Sequence, residues 1–174
     1  MNEAAFWQGQ CPKLHSSVAL HSGRNRILPM ADVFTKAKRS QIMAAVRSTG
    51  NKDTELRLMK LFRQQGITGW RRHQPVLGRP VFVFQRERVA VFVDGCFWHG
   101  CPRHCQIPQN NRKYWQAKIT RNAIRDHYNT RHLRVAGWKV VRIWSHSLDV
   151  PEKVIAKITS VLSQQLVLCN HQRK

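Results

Sequence analysis

The sequence predicts an α/β domain in which one mixed β-sheet is flanked by helices. Two observations carry this. Apolar periodicity along the chain runs in the order α-β-β-β-α-β-α, and three of the strand-like runs are dense in valine, phenylalanine, isoleucine and tryptophan. A sheet of that kind must bury both faces, and helices on either side do so most economically. The 174 residues, 42% hydrophobic with six tryptophans, suffice for one domain with a real core.

Residues 1–29 show no clear period and end at Pro29-Met30. They are expected to form a poorly ordered extension, with Met30 as an alternative start and residues 30–174 as the domain. KAKRSQIMAAVR then sets Ile42, Met43 and Val46 at helical spacing among basic residues. The first confident helix is expected from about Asp53 to Gly66, with Asp53 and Thr54 as cap candidates in NKDTEL. Three extended segments follow: 70–74, then VFVF at 81–84 and VAVFV at 89–93. The last two are separated by polar residues 85–88 and read as a hairpin covered on both faces. A turn-rich segment at 95–105 precedes a long helix over about 112–135, closed by Gly137. WKVVRIW at 138–144 reads as another buried strand. Pro151 opens a final helix carrying Val154, Ile155, Ile158, Val161 and Leu162.

Charge narrows the function. Thirty Lys and Arg stand against nine Asp and Glu, a formal +21, and they are spread along the whole chain. Such a fold repels itself, so a polyanion is the natural partner and a wide phosphate-contacting surface the natural use. A basic scaffold protein would share the charge, which says nothing about chemistry. No apolar run approaches the roughly 20 residues of a spanning helix. MNEAAFWQGQ lacks the basic start and apolar stretch of a signal peptide, which points to the cytoplasm.

Three of the five cysteines, Cys96, Cys101 and Cys105, fall within ten residues, with His99 and His104 among them. Density and spacing favour metal over a disulfide framework, whereas Cys11 and Cys169 carry no argument. Cys96, Cys101 and His104 are three zinc-type donors in a segment also holding Gly95, Gly100 and Pro102. The fourth is expected to be His146, which follows WKVVRIW where that strand leaves the sheet. Cys105 is the competing donor. A filled set of four protein ligands makes the zinc structural rather than catalytic. The plain alternative is a group of small buried cysteines beside an exposed histidine.

The segment GRPVFVF…VAVFVDGCFWHGCPRHC…NNRKYW…NAIRD…GWKVVRIWSH closely resembles the very-short-patch repair (Vsr) endonucleases over about residues 30–165. The resemblance implies a restriction-endonuclease-like core and magnesium-dependent nicking of one DNA strand beside the thymine of a T:G mismatch. Double-stranded DNA is the implied partner, with a link to mismatch-repair proteins. It makes Cys96, Cys101, His104 and His146 the zinc ligands and His99 the proton-transfer residue. It makes Asp126 the acid that orients His99, and Glu55 an acid supporting the metal site. Phe97 and Trp98 become wedges between base pairs, joined by Met43. The family reads G-R-P-D-F where this chain has Gly78-Arg79-Pro80-Val81-Phe82, so the direct carboxylate ligand for magnesium is a valine here. Asp94, with the backbone carbonyl of Val93, is the nearest substitute ligand. Taken singly, His99 reads as an ordinary histidine, Asp126 as an ion-pair partner, and Glu55 as a first-turn acid stabilising its helix. Phe97 and Trp98, adjacent in the chain, cannot both face one interior.

Overall fold

The computed structural model describes Gln41 and residues 49–171, with side chains as far as Val167. Met43, the 35–40 charge run, the 1–29 extension and Cys11 lie outside the described residues.

The chain enters through a wide π-type turn at Lys52–Leu56 that continues as helix α1, Arg57–Gln64. Its cap is Asn51, two residues before the expected pair. The Asn51 side chain accepts from Asp53 N at 2.9 Å while its carbonyl accepts from Leu56 N at 3.0 Å. The five-residue spacing of that second bond opens the turn by one residue and moves the cap upstream. Gly66 closes α1 as expected, with Ile67 N bonded back to the Phe62 carbonyl at 2.9 Å.

Four strands follow: β1 Trp70–Arg72, β2 Phe82–Phe84, β3 Val89–Asp94 and β4 Lys139–Trp144. They lie in the order β1-β2-β3-β4, antiparallel across the first two pairs and parallel between β3 and β4. The sheet is therefore mixed, as the sequence predicts. The crossover from β3 to β4 contains the long helix α2, Arg112–Val135, ended by a Schellman closure from Trp138 N to the Leu133 carbonyl at 2.9 Å. A 3₁₀ turn, Ser145–Asp149, leads to α3, Pro151–His171.

Alternation sorts the strand residues into two cores. Phe82, Phe84, Val89, Val91, Val141 and Ile143 face α1 and α3, where they meet Leu58, Phe62, Leu148, Val154 and Ile158. Phe62 stands edge-on to Phe82 at 5.0 Å and to Phe84 at 5.8 Å. On the opposite face Ala90 and Phe92 pack with Leu133 of α2.

Two expectations need trimming. The first strand stops at Arg72 rather than 74, because His73 adopts φ 53°, a left-handed conformation that no strand continues. WKVVRIW is not wholly buried. β4 is an edge strand, and only its Val141 and Ile143 are fully inside. No helix among the described residues is long and apolar enough to cross a membrane.

Candidate functional site

β3 ends at Asp94, and the chain then turns tightly through Gly95–Cys105 against the end of β4 and one face of α2. The parallel register sets Asp94 opposite Trp144, so Ser145 and His146 emerge beside Cys96. Cys96 Sγ lies 3.1 Å from His146 Nδ1, Cys101 Sγ 3.6 Å from His104 Nδ1, and Cys101 Sγ 3.8 Å from His146 Nδ1. All four donor atoms fall within 4.8 Å of one another. Donors bound to one tetrahedral zinc at ~2.0–2.3 Å lie roughly 3.3–3.8 Å apart, so this set suits such an ion. Burial, then the positive charges of His104 and Arg103, push the His146 pKa down against a smaller upward pull from Asp149. The neutral imidazole this favours is the form that ligates a metal. Cys105, the competing donor, turns away, with its Sγ 3.6 Å from the Phe97 carbonyl. Ser145, which sequence reasoning passed over, donates to or accepts from Cys96 Sγ at 3.2 Å and accepts from Cys96 N at 3.3 Å.

The same turn sets His99 against α2. Its Nδ1 lies 2.5 Å from Asp126 Oδ2 and 3.7 Å from Asp94 Oδ1. Burial disfavours the charged form of Asp126. The hydrogen bond and charge of His99, with Arg142 and Arg125, together outweigh it and hold the carboxyl below its ordinary range. An ionised Asp126 bonded to Nδ1 fixes the ring and leaves Nε2 for a substrate. Asp94 is nearly buried, and both its oxygens are held by the Arg142 guanidinium, at 2.6 and 2.7 Å. Arg142 is a second residue that sequence reasoning missed. Its only sequence signal is a charge between the apolar residues Val141 and Ile143 of β4.

Phe97 and Trp98 are half-buried and lie edge to face at 5.1 Å. They extend into a larger group: Trp115 of α2 stands 5.3 Å from Phe97 and 6.1 Å from Trp98, and exposed Tyr114 is 5.2 Å from Trp115. Lys118 Nζ sits over the rings of Trp98, Tyr114 and Trp115 at 5.1–5.8 Å. Asn122 donates to the Trp98 carbonyl at 2.9 Å. Trp115, Lys118, Asn122 and Asp126 recur every three or four residues and share one face of α2. That spacing was visible in the sequence, but the mixture of aromatic, basic and polar residues hid it from an apolar-stripe search.

Glu55 is buried in the turn that opens α1 and accepts from Gly50 N at 2.6 Å and Arg72 Nη1 at 2.9 Å, with His73 Nε2 at 3.1 Å. Val81 and Val93 pack at the margin of the main core, and Val93 lies in the parallel ladder opposite Ile143. The loop that carries Val81 is pinned to α2. Gly78 has φ +76°, and a Cβ there would stand 2.9 Å from the Asn129 side chain.

Comparison with known proteins places the chain in a family. The family model of DNA mismatch endonuclease Vsr matches residues 31–106. The type II nicking enzyme V.NaeI of Lentzea aerocolonigenes is 40% identical over 133 residues, 72% of this chain and 77% of that protein. The type II nicking enzyme V.NmeDIP of Neisseria meningitidis serogroup C is 40% identical over 120 residues, 67% of this chain and 80% of its own length. The DNA mismatch endonuclease Vsr of Escherichia coli (strain K12) is 36% identical over 128 residues, covering 72% of this chain and 80% of the relative. With relatives this similar over this much of their length, the chain belongs to the Vsr family of DNA mismatch endonucleases.

Proposed function

We propose that this protein is a DNA endonuclease that recognises a T:G mismatch and nicks one strand beside the thymine. The observation that carries the reading is the His99–Asp126 pair standing next to an aromatic cluster on a strongly basic chain. Lysines and arginines draw in the duplex by its phosphates. A mismatched step is weakly stacked, so inserting Phe97 and Trp98 there costs less than in regular duplex. Trp115 backs both rings, and Asn122 holds the Trp98 backbone. Met43, outside the described residues, is a further proposed wedge from the N-terminal part of the chain.

Hydrolysis adds water across a phosphorus–oxygen bond. One proton leaves the attacking water and one reaches the departing oxygen. His99 Nε2 handles a proton at the scissile phosphate, and Asp126 keeps the ring in the tautomer and orientation that allow it. Zinc held by Cys96, Cys101, His104 and His146 ties β3 to the end of β4 and so fixes His99. Its contribution there is structural.

Magnesium, which the family resemblance brings, does not fit the residues present. Position 81 offers a valine side chain without lone pairs. Glu55 is held by Arg72, and Asp94 by Arg142. Asp94 and the Val93 carbonyl therefore make a poor replacement, and no step is drawn through the ion. Val81 favours a second reading in which the same zinc-stabilised fold grips mismatched duplex without cutting it. Mismatch-repair proteins are the further partners, and the bacterial cytoplasm the compartment, that either reading implies.

The two readings share one test against a merely basic protein. Fluorescence anisotropy with T:G and fully paired duplexes should show the mismatch bound about tenfold tighter, in the range a single base-pair change is worth. Equal affinity at moderate salt overturns both.

A further inference from the structure

Asp94, His99 and Asp126 bring three metal-type donor atoms within 4.8 Å of one another. A cation of the chain itself already stands among them. Arg142 lies on β4 opposite Phe92 of β3, and alternation sends Val141 and Ile143 into the main core and Arg142 to the α2 face. Its guanidinium lies over the Phe92 ring, 4.9 Å from the centroid. It reaches two residues along β3 to Asp94, with Nε 2.7 Å from Oδ2 and Nη2 2.6 Å from Oδ1. Nη2 is also 3.3 Å from Asp126 Oδ1. Nη1 donates to Thr130 Oγ1 at 3.3 Å and to the Asp126 carbonyl at 3.4 Å. One planar cation thus bridges both carboxylates.

We propose that Arg142 is the resident cation of the Asp94–His99–Asp126 group, so that, with a valine at position 81, this group binds no divalent metal. Three arguments support it. A carboxylate must offer free lone pairs to a hard cation, and those of Asp94 are taken in a bidentate, nearly buried pair. An entering ion would break two charge-assisted bonds and strand a half-buried guanidinium beside it. Finally, Arg142 already supplies what a metal would give Asp126, namely positive charge at Oδ1 while Oδ2 faces His99. A guanidinium has no open coordination position, so it neutralises and orients without activating water.

The inference concerns the centre used in the proposed nicking reaction. Its test reads metal binding rather than cleavage, so either can fail alone. Zinc-loaded full-length chain is titrated with Mn²⁺, and free Mn²⁺ is followed by electron paramagnetic resonance. The parent chain should show no Mn²⁺ site, up to about 1 mM, that Asp94→Asn removes. Arg142→Gln should gain one site at least about tenfold tighter, since a like charge at contact has been withdrawn. That site should vanish again in Arg142→Gln/Asp94→Asn. Arg142→Lys, which keeps the charge, should behave as the parent. A parent site lost on Asp94→Asn overturns the proposal, and so does a folded Arg142→Gln chain that gains none. Should Arg142→Gln fail to fold, the parent against Asp94→Asn decides alone.

Discussion

Asp126→Asn should separate catalysis from folding at this site. The substitution keeps the side-chain shape and an oxygen facing His99 Nδ1 but removes the charge, so the His99 tautomer and orientation are no longer fixed by an ionised partner. The two side chains are 23% and 17% exposed and 2.5 Å apart, so the interaction is only partly screened. A hydrogen bond to a charged group stabilises by about 1.5–3 kcal/mol, of which the amide retains part. A net loss near ~1 kcal/mol lowers Tm by roughly 2–4 °C for a domain of this size. Nicking should fall much further, by about 10²–10⁴-fold, the usual worth of a positioned proton-transfer group. The pH dependence has a definite sign. The folded Asp126 pKa is lowered, so its stabilisation is complete above the ordinary carboxylate pKa of about 3.9 and is lost as pH falls through the lower folded value. The Tm gap between parent and Asp126→Asn should therefore be present at neutral pH and close as pH falls through the carboxylate range. Single-turnover nicking of a labelled T:G duplex, in the Val81→Asp background where the rate is measurable, and thermal melts across pH supply the data. A rate within about threefold of the parent would refute the His99–Asp126 assignment.

Three further outcomes are expected. Gly78→Ala forces a Cβ onto Asn129 in a left-handed backbone and should cost about 1–3 kcal/mol, read as a lower denaturation midpoint. Cys101→Ser removes a buried sulfur from the four-donor set. It should abolish stoichiometric zinc in elemental analysis and lower Tm by well over 5 °C, while a melt unchanged by the substitution would deny zinc a structural role. Trp98→Ala should reduce preference for T:G over paired duplex by about 1–3 kcal/mol while leaving the salt dependence of binding unchanged, because the wedge proposed for it meets bases and not phosphates.

Much of the sheet was legible because β2 and β3 are buried on both faces and read as continuous Val and Phe runs. The helix ends were legible at Gly66 and Gly137, where terminators follow periodic segments directly. His73 could not be read as the end of β1. A left-handed histidine carries no sequence mark, and its conformation answers to its position beside Glu55. The half-exposure of β4 was also hidden, because strand order decides which strand lies at the edge. At the site, the Cys and His spacing pointed to the four-donor group, and the CFWH string to His99. Arg142 was invisible as a partner because its contacts come from β3 and α2, 48 and 12–16 residues away in sequence. Trp115, Lys118 and Asn122 were passed over for a similar reason. A helical face built for contact with an outside partner need not be apolar.

The most direct test compares this chain with its Val81→Asp version for nicking of labelled T:G and T:A duplexes with magnesium present. A single nick beside the mismatched thymine is expected, on the T:G duplex only, at least about 10²-fold faster after Val81→Asp, with mismatch binding equal in the two chains. If neither chain cuts or prefers the T:G duplex, the proposed function is contradicted. If the unaltered chain cuts as fast as its Val81→Asp version, the role given to position 81 is contradicted.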